Sequence, residues 1–348
     1  MRFHSNTGWW NRAVDLLVTG LLEFKAFDLF SITFGIGVAI QAERGKSRGV
    51  GVAAFLVRRF LILLIFGAAH MALISNVDIL TLYAVCGLLL ILTLRLPTAL
   101  LFLAGLVGIY APPMLTRLSA FPSESLLRGH VPEAMRIYSQ AGFSAIVEFR
   151  WHETQMLIIP LLLLVAQKSF GLMLLGVAVW RSGILQNPEP YRSLLWIVFW
   201  IGGTIGICAT SAEVWLHSTG KELKIALVFN ALGSDLPLAL AYGAGLLAWR
   251  RGPRASAILL PVAAAGRMAL TNYLTQTIAM ALLFYGFGFG LFGRLDPLAG
   301  AAIGAALYSG QLWFSEWWLS RYRFGPFEWL WRLMSYGRWQ PMRIGRPL

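Results

Sequence analysis

Arg58–Arg95 reads RRFLILLIFGAAHMALISNVDILTLYAVCGLLLILTLR, two apolar arms joined by a short polar turn. A bilayer-crossing helix needs roughly 20 mostly apolar residues at a rise of about 1.5 Å each, and each arm is read as one such helix. Arg58 and Arg59 mark one end, and Arg95 returns to it. His70, Ser75, Asn76 and Asp78 therefore lie at or just beneath the opposite face. An ionisable side chain at that depth needs a partner, a wet cavity or a function.

Composition agrees over the whole chain. The 348 residues are 57% hydrophobic and 13% charged, with a mean hydropathy of +0.66. These values exclude an ordinary soluble domain and predict an all-α, polytopic transmembrane helix bundle. The net charge of +13 is the kind that borders membrane spans, so membrane lipids and not nucleic acid are the expected partners. Met1–Leu17 is polar and Trp-rich, unlike a secretory signal. Cys86 and Cys208 each fall in apolar segments and read as small buried hydrophobes. No metal-ligand spacing, Gly-rich phosphate loop or nucleophile elbow is legible, so no metal is expected.

About nine spans follow from apolar run lengths. Within one membrane domain, residues 1–115 hold spans one to four, 116–152 form an outer loop with an amphipathic helix near Glu133–Phe149, and 153–348 hold the rest with an interfacial tail. Glu153–Trp180 is longer than one span needs, which predicts a steep tilt or a first half lining a wet vestibule. Most of the 29 Lys and Arg residues fall on one side when loops are assigned alternately. The positive-inside rule then puts the C-terminus in the cytoplasm and the N-terminus outside, as for a bacterial inner-membrane protein.

GRMALTNYLTQ at Gly266–Gln276 and FGPFEWLWR at Phe324–Arg332 resemble the C-terminal signature of the YeiB-like membrane family, a domain of unknown function numbered 418. FDLFSITFGIG at Phe27–Gly37, RRFLILLIFGAAH at Arg58–His70 and DILTLYAVCGLL at Asp78–Leu89 resemble its N-terminal half. That family is grouped with membrane acyltransferases, including the lysosomal heparan glucosaminide acetyltransferase and bacterial O-acyltransferases. The resemblance implies transfer of an acyl group from cytoplasmic acyl-CoA, the donor, to a glycan or lipid-linked acceptor at the outer face. Family members usually open on a helix with a Leu-Asp-x-x-Arg-Gly type motif, for which this chain has no counterpart; a late start or a lost part of the site is the expectation.

His70 is the first candidate, a neutral imidazole suited to taking a proton from an acceptor hydroxyl or amine. Its plainer reading is a histidine bonded to a neighbouring helix. Asp78 reads first as a helix N-cap and second as the orienting partner of His70. In an even hairpin the residue at His70's depth is nearer Tyr83, so a direct His70–Asp78 contact requires an uneven or re-entrant turn. On a continuous helix Arg267, Thr271, Asn272, Thr275 and Gln276 cover half the circumference. That half lines a cavity or bonds into the bundle, and Arg267 asks for an anion such as phosphate. Arg58, Arg59, Arg250, Arg251 and Arg254 surround coenzyme A phosphates or meet lipid headgroups. Lys25 with Asp28, and Glu328 with Arg332, have the spacing of helical pairs, while His152–Glu153 reads as solvated. Lys168, Asp235 and Arg267 within spans motivate a transporter as rival, and the missing first helix motivates a scaffold without catalysis.

Overall fold

The computed structural model describes residues 8–47, 49, 51–111, 124–218, 235–249 and 253–344. Arg250, Arg251 and Asn230 lie outside the described residues. The helices are α1 (Trp9–Leu21), α2 (Lys25–Ser47), α3 (Val52–Leu73), α4 (Ile79–Thr93), α5 (Thr98–Tyr110), α6 (Glu124–Gln140), α7 (Phe143–Glu153), α8 (Ile159–Arg181), α9 (Arg192–Ser218), α10 (Asp235–Trp249), α11 (Pro253–Arg267), α12 (Ala269–Phe284), α13 (Pro297–Leu319) and α14 (Pro326–Tyr336). No strand occurs among the described residues, and one isolated bridge joins Tyr322 to Arg343. The all-α expectation holds.

Among the described residues two helices are long and apolar enough to cross a membrane, Val52–Leu73 and Arg192–Ala212, so the expected nine spans are not confirmed. The number rises to four if the bent pairs Phe143–Leu163 with Val165–Arg181 and Ala257–Arg267 with Ala269–Phe284 each count as one span. Three further apolar helices are short: α4 and α10 have 15 residues and α5 has 13. At 1.5 Å per residue these reach about 20–22 Å, against a hydrocarbon core of about 30 Å.

The principal core lies among α2, α3, α4, α5 and α8, where Leu56, Phe60, Leu90, Leu101 and Met173 are buried. Helices α2 and α8 touch backbone to backbone: a Cβ added at Gly35 would overlap the Met173 carbonyl, and one at Gly176 that of Ile32. Small residues at such crossings are how helices pack in lipid, where apolar side chains gain nothing by leaving the bilayer. The long segment from Phe143 is bent by 40° after a π-turn at Thr154–Ile158. The expected amphipathic helix of the loop is two helices, α6 and α7, broken at Ala141–Gly142.

Charges inside this half pair across helices and not along them. Lys25 reaches Asp235 on α10 at 2.8 Å, and Asp28 receives Lys168 of α8 at 2.9 Å. The Lys25–Asp28 pair expected within α2 is thus replaced by two interhelical pairs, linked by Lys168 to Asp235 at 3.6 Å. In a low-dielectric interior four balanced charges are tolerated where a single one is not.

Candidate functional site: an Asp–His–Thr relay at the hairpin turn

Helix α3 ends at Leu73, and the chain doubles back so that Asp78 N-caps α4 by accepting from the Thr81 N–H at 2.5 Å. This cap was the first reading of Asp78. The second reading needs contact with His70, and Asp78 Oδ1 lies 2.8 Å from His70 Nδ1, an ion-pair distance off the line of a well-aligned hydrogen bond. The uneven turn required for that contact is made by Gly67. A Cβ there would stand 2.5 Å from the Thr81 nitrogen and 2.8 Å from Asp78 Oδ2, so only glycine lets α4 start level with α3's last turn. Arg150 on α7, fully buried, ties the same turn by donating to the Leu73 carbonyl at 3.3 Å, one of the orphan acceptors of the α3 terminus.

The other face of the imidazole meets α12. His70 Nε2 is 3.0 Å from Thr277 Oγ1, and the Tyr273 ring packs 5.1 Å from His70 with its hydroxyl donating to Asp78 Oδ1 at 3.3 Å. Nε2 faces the Thr277 hydroxyl, which also lies 3.0 Å from the Tyr273 and Leu274 carbonyls; with its one proton given to a carbonyl, Oγ1 is an acceptor for an Nε2–H. Asp78, His70 and Thr277 thus form a chain of acid, imidazole and alcohol. His70 and Asp78 are sealed from solvent, while Thr277 lines a cavity of about 240 Å³ with Ile74, Ser75, Met280, Tyr285 and Phe292. Sequence reading missed Thr277 and Tyr273; their position at intervals of four on α12 was the available signal, but the partner helix was not legible.

Tyr83 takes a different place from the one expected. It is buried in the α2–α4 contact, with its hydroxyl 2.6 Å from Ser31 Oγ and its ring against Phe27, Phe30 and Phe34, because the uneven turn gives its expected depth to Asp78.

The polar half-helix of Arg267–Gln276 is also corrected. The helix breaks at Met268 with a bend of 77°, leaving Arg267 exposed at the end of α11 and donating to the Arg323 carbonyl at 3.4 Å. Asn272 donates across the break to the Ala265 carbonyl at 3.1 Å, an oxygen that also accepts from the Met268 N–H at 3.0 Å, and it bonds Ser315 and accepts Gln311 on α13. It is interhelical glue, as its plainer reading had it. Gln276 is half-buried one residue before Thr277. Thr271 is engaged by the tail: Glu328 accepts from its N–H at 3.0 Å and from its hydroxyl at 2.5 Å. Glu328 is therefore committed to the N-terminus of α12 and not to Arg332.

His152–Glu153, expected to be solvated, contains a buried acid. Glu153 accepts from Asn76 and Tyr138 at 2.5 Å each and lies 2.7 Å from His130 Nε2. Burial first, and the Glu153 carboxylate second, raise the Tyr138 hydroxyl well above an ordinary phenol, so it stays a donor. Tyr138 stacks on Tyr285, a wall of the cavity. Among the described residues no group of three or more His, Cys, Asp or Glu side chains is placed to hold a metal, and both cysteines are free.

An all-helical bundle with apolar spanning helices and a sealed acid–imidazole–alcohol chain at a hairpin turn defines a helical membrane protein. The model of the family described as "Protein of unknown function (DUF418)" matches residues 179–338. Uncharacterized protein YxaH of Bacillus subtilis is 33% identical, the alignment covering 96% of this chain and 85% of the relative. YeiB of Escherichia coli is 30% identical over 90% of this chain and 82% of its own length. An uncharacterized 39.9 kDa protein of Bacillus acidopullulyticus is 28% identical over 93% and 83%. The chain belongs to the YeiB-like DUF418 family. No solved structure matches it.

Proposed function

We propose that this protein is a transmembrane acyltransferase of the bacterial plasma membrane, moving an acyl group from a cytoplasmic thioester to an acceptor on the outer face. The observation that carries this reading is the Asp78–His70–Thr277 chain opening on the cavity. His70 Nε2 takes the proton from the acceptor hydroxyl or amine as that atom attacks the thioester carbonyl. The carbon–sulfur bond breaks, and the thiolate leaves with the proton returned from the imidazolium. Asp78 holds the ring and stabilises its charged form, while Thr277 marks where the acceptor hydroxyl sits.

In this reading acyl-CoA is the donor, and its phosphates meet the arginines at the start of α3. Eleven residues separate Arg59 from His70, about 16 Å along the helix, a span within reach of a pantetheine arm. Arg267 is exposed beside the tail on another segment, and its place in donor binding belongs to the same proposal, as do Asn272, Gln276, Arg250 and Arg251. The test is acyl transfer by the purified protein in proteoliposomes supplied with acyl-CoA. His70→Ala is expected to abolish it at unchanged thermal stability; full activity in that variant removes His70 from the reaction.

The interhelical quartet of Lys25, Asp28, Lys168 and Asp235 favours a second reading as a transporter. It predicts substrate flux into proteoliposomes without acyl-CoA, which the enzyme reading does not.

A further inference from the structure

Arg181 donates to the Leu94 and Leu96 carbonyls, Arg150 to those of Ile146 and Leu73, and Arg321 to that of Trp317. Arg59 and Arg332 differ from these. Arg59 on α3 and Arg332 on the tail helix α14 make no hydrogen bond or ion pair with any described residue, and the Nε of each is enclosed and unpartnered. Trp331, the ring beneath Arg59, is the chain neighbour of Arg332, so both guanidiniums belong to the contact between α3 and the tail helix.

Their flat faces are nonetheless fixed. Arg59 Cζ lies 3.6 Å over the Trp331 ring, and Trp331 is itself pinned by donating from Nε1 to the Arg59 carbonyl at 3.1 Å. Arg332 Cζ sits 4.3 Å from Phe324 and 5.4 Å from Tyr336. Aromatic rings thus hold both planes while the in-plane donors stay empty. A guanidinium so arranged presents its edge to a tetrahedral or planar oxyanion, the bidentate geometry in which arginine binds phosphate. Both residues are half-buried with an enclosed, unpartnered Nε, and an anion at their remaining donors would offset the cost of that burial.

We infer that Arg59 and Arg332, held by Trp331 and Phe324, form a phosphate-binding site between the start of α3 and the tail helix. The phosphate belongs either to a soluble ligand, the acyl donor included, or to an anionic lipid headgroup. The site does not depend on acyl transfer, since only geometry at this end of the bundle defines it.

The experiment reads arginine modification by phenylglyoxal, mapped by peptide mass spectrometry on the full-length protein. One arm adds pyrophosphate to protein in phosphatidylcholine nanodiscs, and the other adds phosphatidylglycerol to the discs. Slowed modification of both Arg59 and Arg332, with Arg181 unchanged as the internal control, supports the site. Protection by pyrophosphate identifies a soluble ligand, and protection by phosphatidylglycerol alone identifies a lipid. Binding of the protecting probe should weaken by about tenfold or more in Arg332→Gln, the worth of one charged hydrogen bond, and also in Arg332→Lys, which keeps the charge without the fork. Failure of both probes to protect the wild-type protein overturns the inference, as does equal binding by folded Arg332→Gln. Loss of acyl transfer activity throughout would leave it standing, because neither arm measures transfer.

Discussion

The proposed reading gives His70 and Asp78 a chemical role beside their place in the helix geometry, and substitutions can separate the two. Asparagine caps a helix about as well as aspartate, whereas alanine forfeits about 1 kcal/mol. Asp78→Asn is therefore expected to unfold near the wild-type temperature in detergent while losing acyl transfer, and Asp78→Ala to lose both. Equal transfer rates in Asp78→Asn and wild type would show that the carboxylate acts only as a cap. Gly67→Ala places a methyl group against the Thr81 nitrogen and Asp78, overpacking of a kind that costs about 1–3 kcal/mol. A lowered thermal midpoint for that variant, at an unchanged fold by circular dichroism, is the expected result. His70 and Asp78 could both be named from sequence as polar groups in an apolar hairpin. Thr277 could not, since nothing local to α12 says which of its hydroxyls faces an imidazole 207 positions away.

At the scale of elements, the break between α11 and α12 and the docking of α14 belong together. Glu328 on the tail caps the start of α12 through Thr271, and Asn272 reaches back across the break to the Ala265 carbonyl. The two sequence stretches that carry the family resemblance in the C-terminal half, GRMALTNYLTQ and FGPFEWLWR, are thus the two sides of one joint. Glu328→Ala is expected to free the tail, seen as faster proteolysis after Arg321 or Arg323 with the rest of the bundle intact. Unchanged cleavage kinetics would mean that the Trp331 and Phe324 contacts alone hold α14. Asn272→Ala removes the side-chain bonds to the Ala265 carbonyl, which keeps the Met268 N–H, and to Ser315, at a cost of about 0.5–1.5 kcal/mol for each bond in thermal or denaturant unfolding. The sequence wheel misplaced Arg267 because it assumed an unbroken helix; no proline or glycine lies at Met268, where the bend occurs.

For the whole molecule, the ionic quartet ties α2, α8 and α10 into one unit. Lys168→Met strands Asp28 without its cation, and breaking a buried pair in this way costs about 3–5 kcal/mol, while the double variant Asp28→Asn with Lys168→Met removes both charges and should recover most of it. A double-mutant cycle by thermal unfolding measures this, and additive losses would show that the pair contributes no coupling. By itself the sequence determined the class of molecule: long apolar runs, few charges and basic flanks dictate helices in lipid, because a backbone without water must bond within its own segment. It also placed the polar hairpin turn and the tail. Tertiary structure alone decided the partners, putting Thr277 on His70, Ser31 on Tyr83, Glu153 among Asn76, Tyr138 and His130, and Arg59 over Trp331. Periodicity reports only which face of a helix is polar; which other helix meets that face is set by close backbone crossings such as Gly35–Met173 and Gly67–Thr81, and these depend on the fit of surfaces far apart in the chain.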